Sequence, residues 1–177
     1  MTDASSAGNT DESVPKNDRI FRVINRIPIF RDLTPKHVKL ILSRAQKRTL
    51  TEGEQLCEQG GKASSLFILL QGKLAVRIKK SSAIATINPV SSIGELGVFT
   101  EQPRNATVLA MESSHVLELK KDDIDAMMEQ DPVMGMQIMR NVIRELAQRI
   151  ADDNIKLREY QNFIIDQIEK EPTDQSG

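Results

Sequence analysis

"EQGGKASSLFILLQGKLAV", Glu58 to Val76, holds an apolar run between two glycine-bearing turns, QGG and QGK. Similar short runs follow it: "KLAVRI", "AIATI", "ATVLAM" and "HVLELK", with "NPVS" as a further break. Several short strands at this spacing predict a sandwich or barrel, not alternating strands and helices. Leu74, Val76 and Ile78 alternate with Lys73, Arg77 and Lys79, so one face of that strand is expected to meet solvent. Gly72 falls where a tight hairpin would need it.

The period changes on both sides of this β region. Upstream, "RIFRVINRIPIF" places Ile20, Phe21, Val23, Ile24 and Ile27 near helical spacing, and Pro28 is expected to end that helix. A second helix starts in "LTPKHVKLILSRAQ", with Thr34 as cap, Pro35 in the first turn, and an inward stripe of Val38, Ile41, Leu42 and Ala45. Downstream, "KDDIDAMMEQDP" is helical. Asp131 can then cap a segment that opens at Pro132 and meets no breaker before Glu171.

That last helix is too long merely to cover a small domain. Met136, Met139, Ile143, Leu146, Ile150, Asp153, Leu157, Tyr160, Ile164 and Gln167 follow a three-four spacing, and eight of the ten are apolar or aromatic. Ile138 and Val142 flank the stripe and are expected to cover the domain locally. The seam predicts a partner helix, with homodimerisation along Met139, Ile143, Leu146, Ile150, Leu157 and Ile164. Asp153 is its flaw. The expected division is a disordered tail at 1–18, a β domain with N-terminal helices at 19–130, the long helix at 131–170 and a second tail at 171–177.

The 177 residues are 39% apolar, enough for one full core, and the formal net charge is -1. That balance gives no broad basic surface for nucleic acid or anionic lipid. No apolar run approaches the roughly 18 residues of a membrane span, and the N-terminus lacks the pattern of a signal peptide. A cytoplasmic location is the simple expectation. Cys57, the single cysteine, suits a reducing compartment and reads as a buried bystander.

One stretch fits no packing pattern: "GELGVFTEQPRNATV", Gly94 to Val108. Gly94 and Gly97 permit close backbone approach, and "GELGVF" can form one short helical turn whose amides make an anion nest. Pro103 stiffens the approach to Arg104, a fixed fork of donors suited to phosphate. Glu95 supplies the opposite function, accepting from hydroxyls. Together these describe a nucleotide pocket, although the same two side chains could form an ordinary loop ion pair.

The stretch resembles the phosphate-binding cassette of the cyclic nucleotide-binding domain family. "EQGGKASSLFILLQGKLAV" is similar to that family's strand-turn-strand signature, and "NRIPIFRDLTPKHV" to its N-terminal helices. The resemblance covers roughly Arg19 to Asn154. It implies a mainly β fold with flanking helices, a double-stranded β-helix (jelly roll) followed by a long C-terminal helix. It implies no cofactor, with cAMP or cGMP as ligand and cAMP expected first. By this likeness Glu95 binds the ribose 2'-hydroxyl and Arg104 the cyclic phosphate. Backbone near Gly94, Leu96, Gly97 and Ala106 completes the phosphate contacts. Gly60 and Gly72 become structural glycines, and Leu66, Ile68, Val76 and Leu96 core or pocket-wall residues.

Two departures from the family pattern matter, at Asn105 and at the pair Arg149 and Ile150. Asn105 stands where Ala, Ser or Thr is usual, and could bond a purine or the phosphate. Arg149 and Ile150 stand where the family's transcription activators carry an adenine-reading Thr-Ser pair. An arginine there would donate to guanine O6 and N7, or stack on either base. After the long helix only "KEPTDQSG" remains, without room for a helix-turn-helix, so no direct DNA binding is expected.

An enzyme finds little support in the same residues. His37 and His115 are the only histidines, no metal site can be assembled, and no Ser-His-acid or Cys-His arrangement is evident. The expectation is a non-catalytic sensor that signals through its C-terminal helix to an unknown partner protein. The rival is a dimeric interaction protein with a vestigial or altered pocket.

Overall fold

The computed structural model describes residues 16–78 and 85–170. Expectations for the tails at 1–15 and 171–177, and for Lys79, Ala83 and Ile84, lie outside them. Helix α1 (Lys16–Asn25) begins three residues before Arg19. It stops at Asn25, and Pro28 opens a 3-10 turn, Pro28–Phe30, that buries Ile29 and Phe30. Helix α2 (Pro35–Arg44) starts as expected at Thr34, whose hydroxyl accepts the His37 amide while the Thr34 amide donates to His37 Nδ1.

Eight strands follow: β1 (Gln46–Leu50), β2 (Gln55–Cys57), β3 (Ser65–Gln71), β4 (Leu74–Arg77), β5 (Ala85–Ile87), β6 (Ser91–Ile93), β7 (Thr107–Ala110) and β8 (Ser114–Lys120). Helix α3 (Glu95–Thr100) lies between β6 and β7, while α4 (Lys121–Gln130) and α5 (Pro132–Lys170) end the described chain. The strands form two antiparallel sheets, ordered β1-β8-β3-β6 and β2-β7-β4-β5. The mainly β class with flanking helices is therefore as expected. The hairpin at Gly72 is not: β3 and β4 belong to different sheets, so the turn carries the chain round a corner from one to the other. Gly72 is required there by its φ of 94° and because a Cβ would overlap Ser114.

The continuous apolar run of β3 has a direct cause. Leu66 and Ile68, opposite Leu119 and Leu117, face a core shared with the helices. Phe67 and Leu69 face the second core, between the sheets, with Leu74, Val108 and Val116. A strand covered on both faces cannot alternate. The alternation expected in β4 holds only in part. Leu74 and Ala75 are both buried at the corner, Val76 is half-buried and Ile78 is exposed.

Helix α5 runs unbroken from Pro132 to Lys170, the bounds expected. Asp131 Oδ1 accepts the Met134 amide, a bond that holds the Asp131 carboxyl below the usual carboxylate range. His37 Nε2, 3.2 Å from Asp131 Oδ2, adds to that effect and ties the starts of α2 and α5 together. Met134, Ile138 and Val142 are buried against the domain, as anticipated for the last two. From Ala151 to Gln167 every residue is exposed.

Candidate functional site

All eight residues singled out from the sequence (Gly94, Glu95, Leu96, Gly97, Arg104, Asn105, Ala106 and Arg149) line one cavity of about 510 Å³. Its floor is the start of α3. Gly94 precedes that helix at φ 85°, and a Cβ there would collide with the Arg104 guanidinium. Gly97 packs where a Cβ would strike Ala63 and lie 2.9 Å from the Gln102 carbonyl. Each glycine thus lets the helical turn approach the chain that carries Arg104.

Arg104 is 7% exposed and held from several sides. Its amide donates to the Gly61 carbonyl at 2.9 Å, and its carbonyl accepts the Gly60 amide at 2.8 Å. Nη1 donates to the Gly94 carbonyl at 3.0 Å, Nη2 donates to the Ser65 carbonyl, and the guanidinium carbon lies 5.6 Å from the Phe67 ring centroid. Nε is buried and finds no partner among the described residues.

Glu95, 4% exposed, does not pair with Arg104, so the two do not form a loop ion pair. Its Oε1 lies 2.6 Å from Nη2 of Arg149, which reaches over from α5. Oε2 is buried and, like Arg104 Nε, finds no partner among the described residues. Arg149 is in turn held by Glu145, whose Oε1 accepts its Nε at 3.3 Å. A buried carboxylate and a buried guanidinium therefore face one cavity, each with an unspent hydrogen-bonding atom. Such groups are costly to leave unpaired, and a ligand carrying hydroxyl and phosphate would satisfy both.

The remaining wall contains residues that the sequence did not mark. Thr86, Asn88, Ser91 and Ser92 come from β5, β6 and the turn between them, and Cys57 from β2. Short polar strands carry little periodic signal, and Cys57 read as a bystander. It is half-buried, and its burial pushes the thiol's pKa up despite the opposing charge of Arg104. Val76 and Leu96 do line the cavity, whereas Leu66 and Ile68 belong to the core beneath the helices. A depression of about 650 Å³ beyond the cassette shares Leu96, Arg104 and Asn105 but includes neither Glu95 nor Arg149. The first cavity has both unpaired buried atoms and is the stronger site.

Among the described residues, no group of three or more His, Cys, Asp and Glu side chains could hold a metal, and no helix is long and apolar enough to cross a membrane. His115 lies on β8 and bonds Thr49 of β1 at 3.1 Å, while His37 serves the α2 cap.

Residues 47–131 match the family described as cyclic nucleotide-binding domain. The cyclic AMP receptor protein of Thermus thermophilus is 27% identical over 136 residues, which make up 73% of this chain and 60% of that protein. The crystal structure of the Thermus thermophilus catabolite activator protein superposes with a TM-score of 0.65 at 26% identity, covering 76% of this chain and 63% of that one. A cyclic nucleotide-binding domain from Methylobacillus flagellatus shares the fold with a TM-score of 0.71 at 21% identity, covering 81% and 83%. The chain spans between 14% and 60% of the length of such curated relatives. With the family match, the two-sheet fold and the gathered cassette in agreement, residues 47–131 form a domain of the cyclic nucleotide-binding family.

Proposed function

We infer that this chain is a non-catalytic sensor that binds a cyclic nucleotide in the cavity above α3 and signals through α5. The observation that carries the reading is the pair of unspent buried atoms, Glu95 Oε2 and Arg104 Nε. Arg104 takes the cyclic phosphate, with backbone from Gly94, Leu96, Gly97 and Ala106, and Glu95 takes the ribose hydroxyl. Asn105 stands beside the phosphate position. The name of the Thermus relative favours cAMP, with cGMP as the alternative. The two sheets are then the halves of a jelly roll, with the domain at 19–130 and the signalling helix at 131–170.

The output is a homodimer along Met139, Ile143, Leu146, Ile150, Leu157 and Ile164, or a downstream protein docked on the same ladder. Ile143 and Ile150 are each 63% exposed, which supports a partner on that face. Titration calorimetry of the whole chain with cAMP and cGMP tests the ligand, and sedimentation with and without nucleotide tests the dimer. Saturable heat with one nucleotide is expected. Absence of heat with both would leave the second reading, an interaction protein with an altered pocket, for which the exposed Ile143, Ile150, Leu157 and Ile164 speak.

A further inference from the structure

The polar side of α5 has an order that its outer face conceals. Gln137, Asn141, Glu145 and Arg149 recur every four residues and so lie along one line of the helix. Asn141, buried, donates to the carbonyls of Ile29 at 3.3 Å and Arg31 at 2.7 Å, and accepts from Gln137 Nε2 and Arg144 Nη1. One turn on, Glu145 holds Arg149, and Arg149 holds Glu95. A single row of side chains thus runs from the 3-10 turn to the cavity.

At the end of that row the carboxylate is divided. Arg149 takes Oε1, leaving Oε2 buried without a partner. We propose that Arg149 is a positioning residue for sugar recognition: it neutralises Glu95 and fixes it by Oε1, so that Oε2 accepts the ribose 2'-hydroxyl. This rests on the cyclic nucleotide reading and adds a regulatory consequence. The hydroxyl is recognised in full only while α5 lies on the domain, because the group that orients its acceptor belongs to α5. This use of Arg149 spends Nε and Nη2 on Glu145 and Glu95, and stands beside the purine-edge role the sequence suggested. A buried carboxylate stripped of its countercharge is costly to keep ionised, and without the Arg149 bond nothing fixes the direction of Oε2.

The test compares cAMP with 2'-deoxy-cAMP by calorimetry on the full chain. The parent is expected to bind cAMP about tenfold more tightly or better, the usual worth of a hydrogen bond to a charged group. Arg149→Gln should lose most of that ratio by weakening cAMP roughly tenfold, while 2'-deoxy-cAMP changes by no more than about twofold. Arg149→Lys should restore part of the ratio, and Glu145→Gln should lower it to an intermediate value. A merely structural role would weaken both nucleotides alike, and that outcome overturns the proposal. Tighter cAMP binding by Arg149→Gln also overturns it, making Arg149 a competitor for the site. If the parent binds cAMP and Arg149→Gln leaves the ratio unchanged, the proposal fails and the ligand reading stands. If the parent binds neither nucleotide, both fail together.

Discussion

Two arginines line the cavity, and they are held in different ways. Arg104 is buried and clasped by carbonyls of the domain itself, at Gly94 and Ser65, with the Phe67 ring beside it. Arg149 has a side chain 45% exposed, sits on α5 and reaches the domain through Glu95. The first needs only the folded sheets. The second exists as part of the site only when a separate helix is docked. The Arg104 part of the site is thus preorganised for an anion, and the Arg149 part is conditional.

Four experiments would break or sharpen that contrast. Arg104→Ala should reduce cyclic nucleotide affinity by about a hundredfold or more, the scale of a charged phosphate contact, while circular dichroism remains that of the parent. Parent-like binding by this variant would remove the phosphate from the preorganised part. Gly94→Ala should come next. It forces a Cβ into the Arg104 guanidinium at a positive φ, so affinity is expected to fall at least tenfold and stability by about 1–3 kcal/mol in thermal melts.

Asn141→Ala acts on the conditional part. It strips a donor from the buried Ile29 carbonyl and the part-buried Arg31 carbonyl, at a cost of about 1–3 kcal/mol. Its effect on affinity should be several-fold, below that of Gly94→Ala, with faster hydrogen exchange in the first turns of α5. Equal loss of protection in β3 would show that Asn141 supports the whole domain and not the helix alone. The smallest effect on affinity is expected from Ile143→Asp combined with Ile150→Asp, since neither side chain lines the cavity and both are largely exposed. Binding should change by less than about threefold, within the range of surface substitutions, while sedimentation reports monomers. A parent that is itself monomeric at tens of micromolar, with or without nucleotide, would sink the homodimer.

The cassette was legible because its signal is local: two glycines, a proline, an acid and an arginine within fifteen residues. Helices α2 and α5 were legible through Thr34, Asp131 and their periodic stripes. The unread parts depend on distant pairing. "QKRTL" forms β1 because β8 pairs with it, and only Leu50 of the five is buried, so no alternation betrays it. Ser91–Ile93 becomes β6 by pairing with β3. The corner at Gly72 looks like a hairpin until the neighbours of β3 and β4 are known. Asn141 meets carbonyls more than a hundred positions away, and in sequence it resembles any solvated residue of a charged helix.

The exposed part of α5 has a mechanical consequence. Beyond Val142, its last buried side chain among the described residues, the helix runs on to Lys170, a rod of about 42 Å at the usual rise per residue. A rod anchored at one end magnifies rotation: a tilt of about 10° at Val142 would carry the far tip by roughly 7 Å. A change of side-chain scale at Glu95 and Arg149 would thus reach a neighbouring molecule as a displacement wider than an atom.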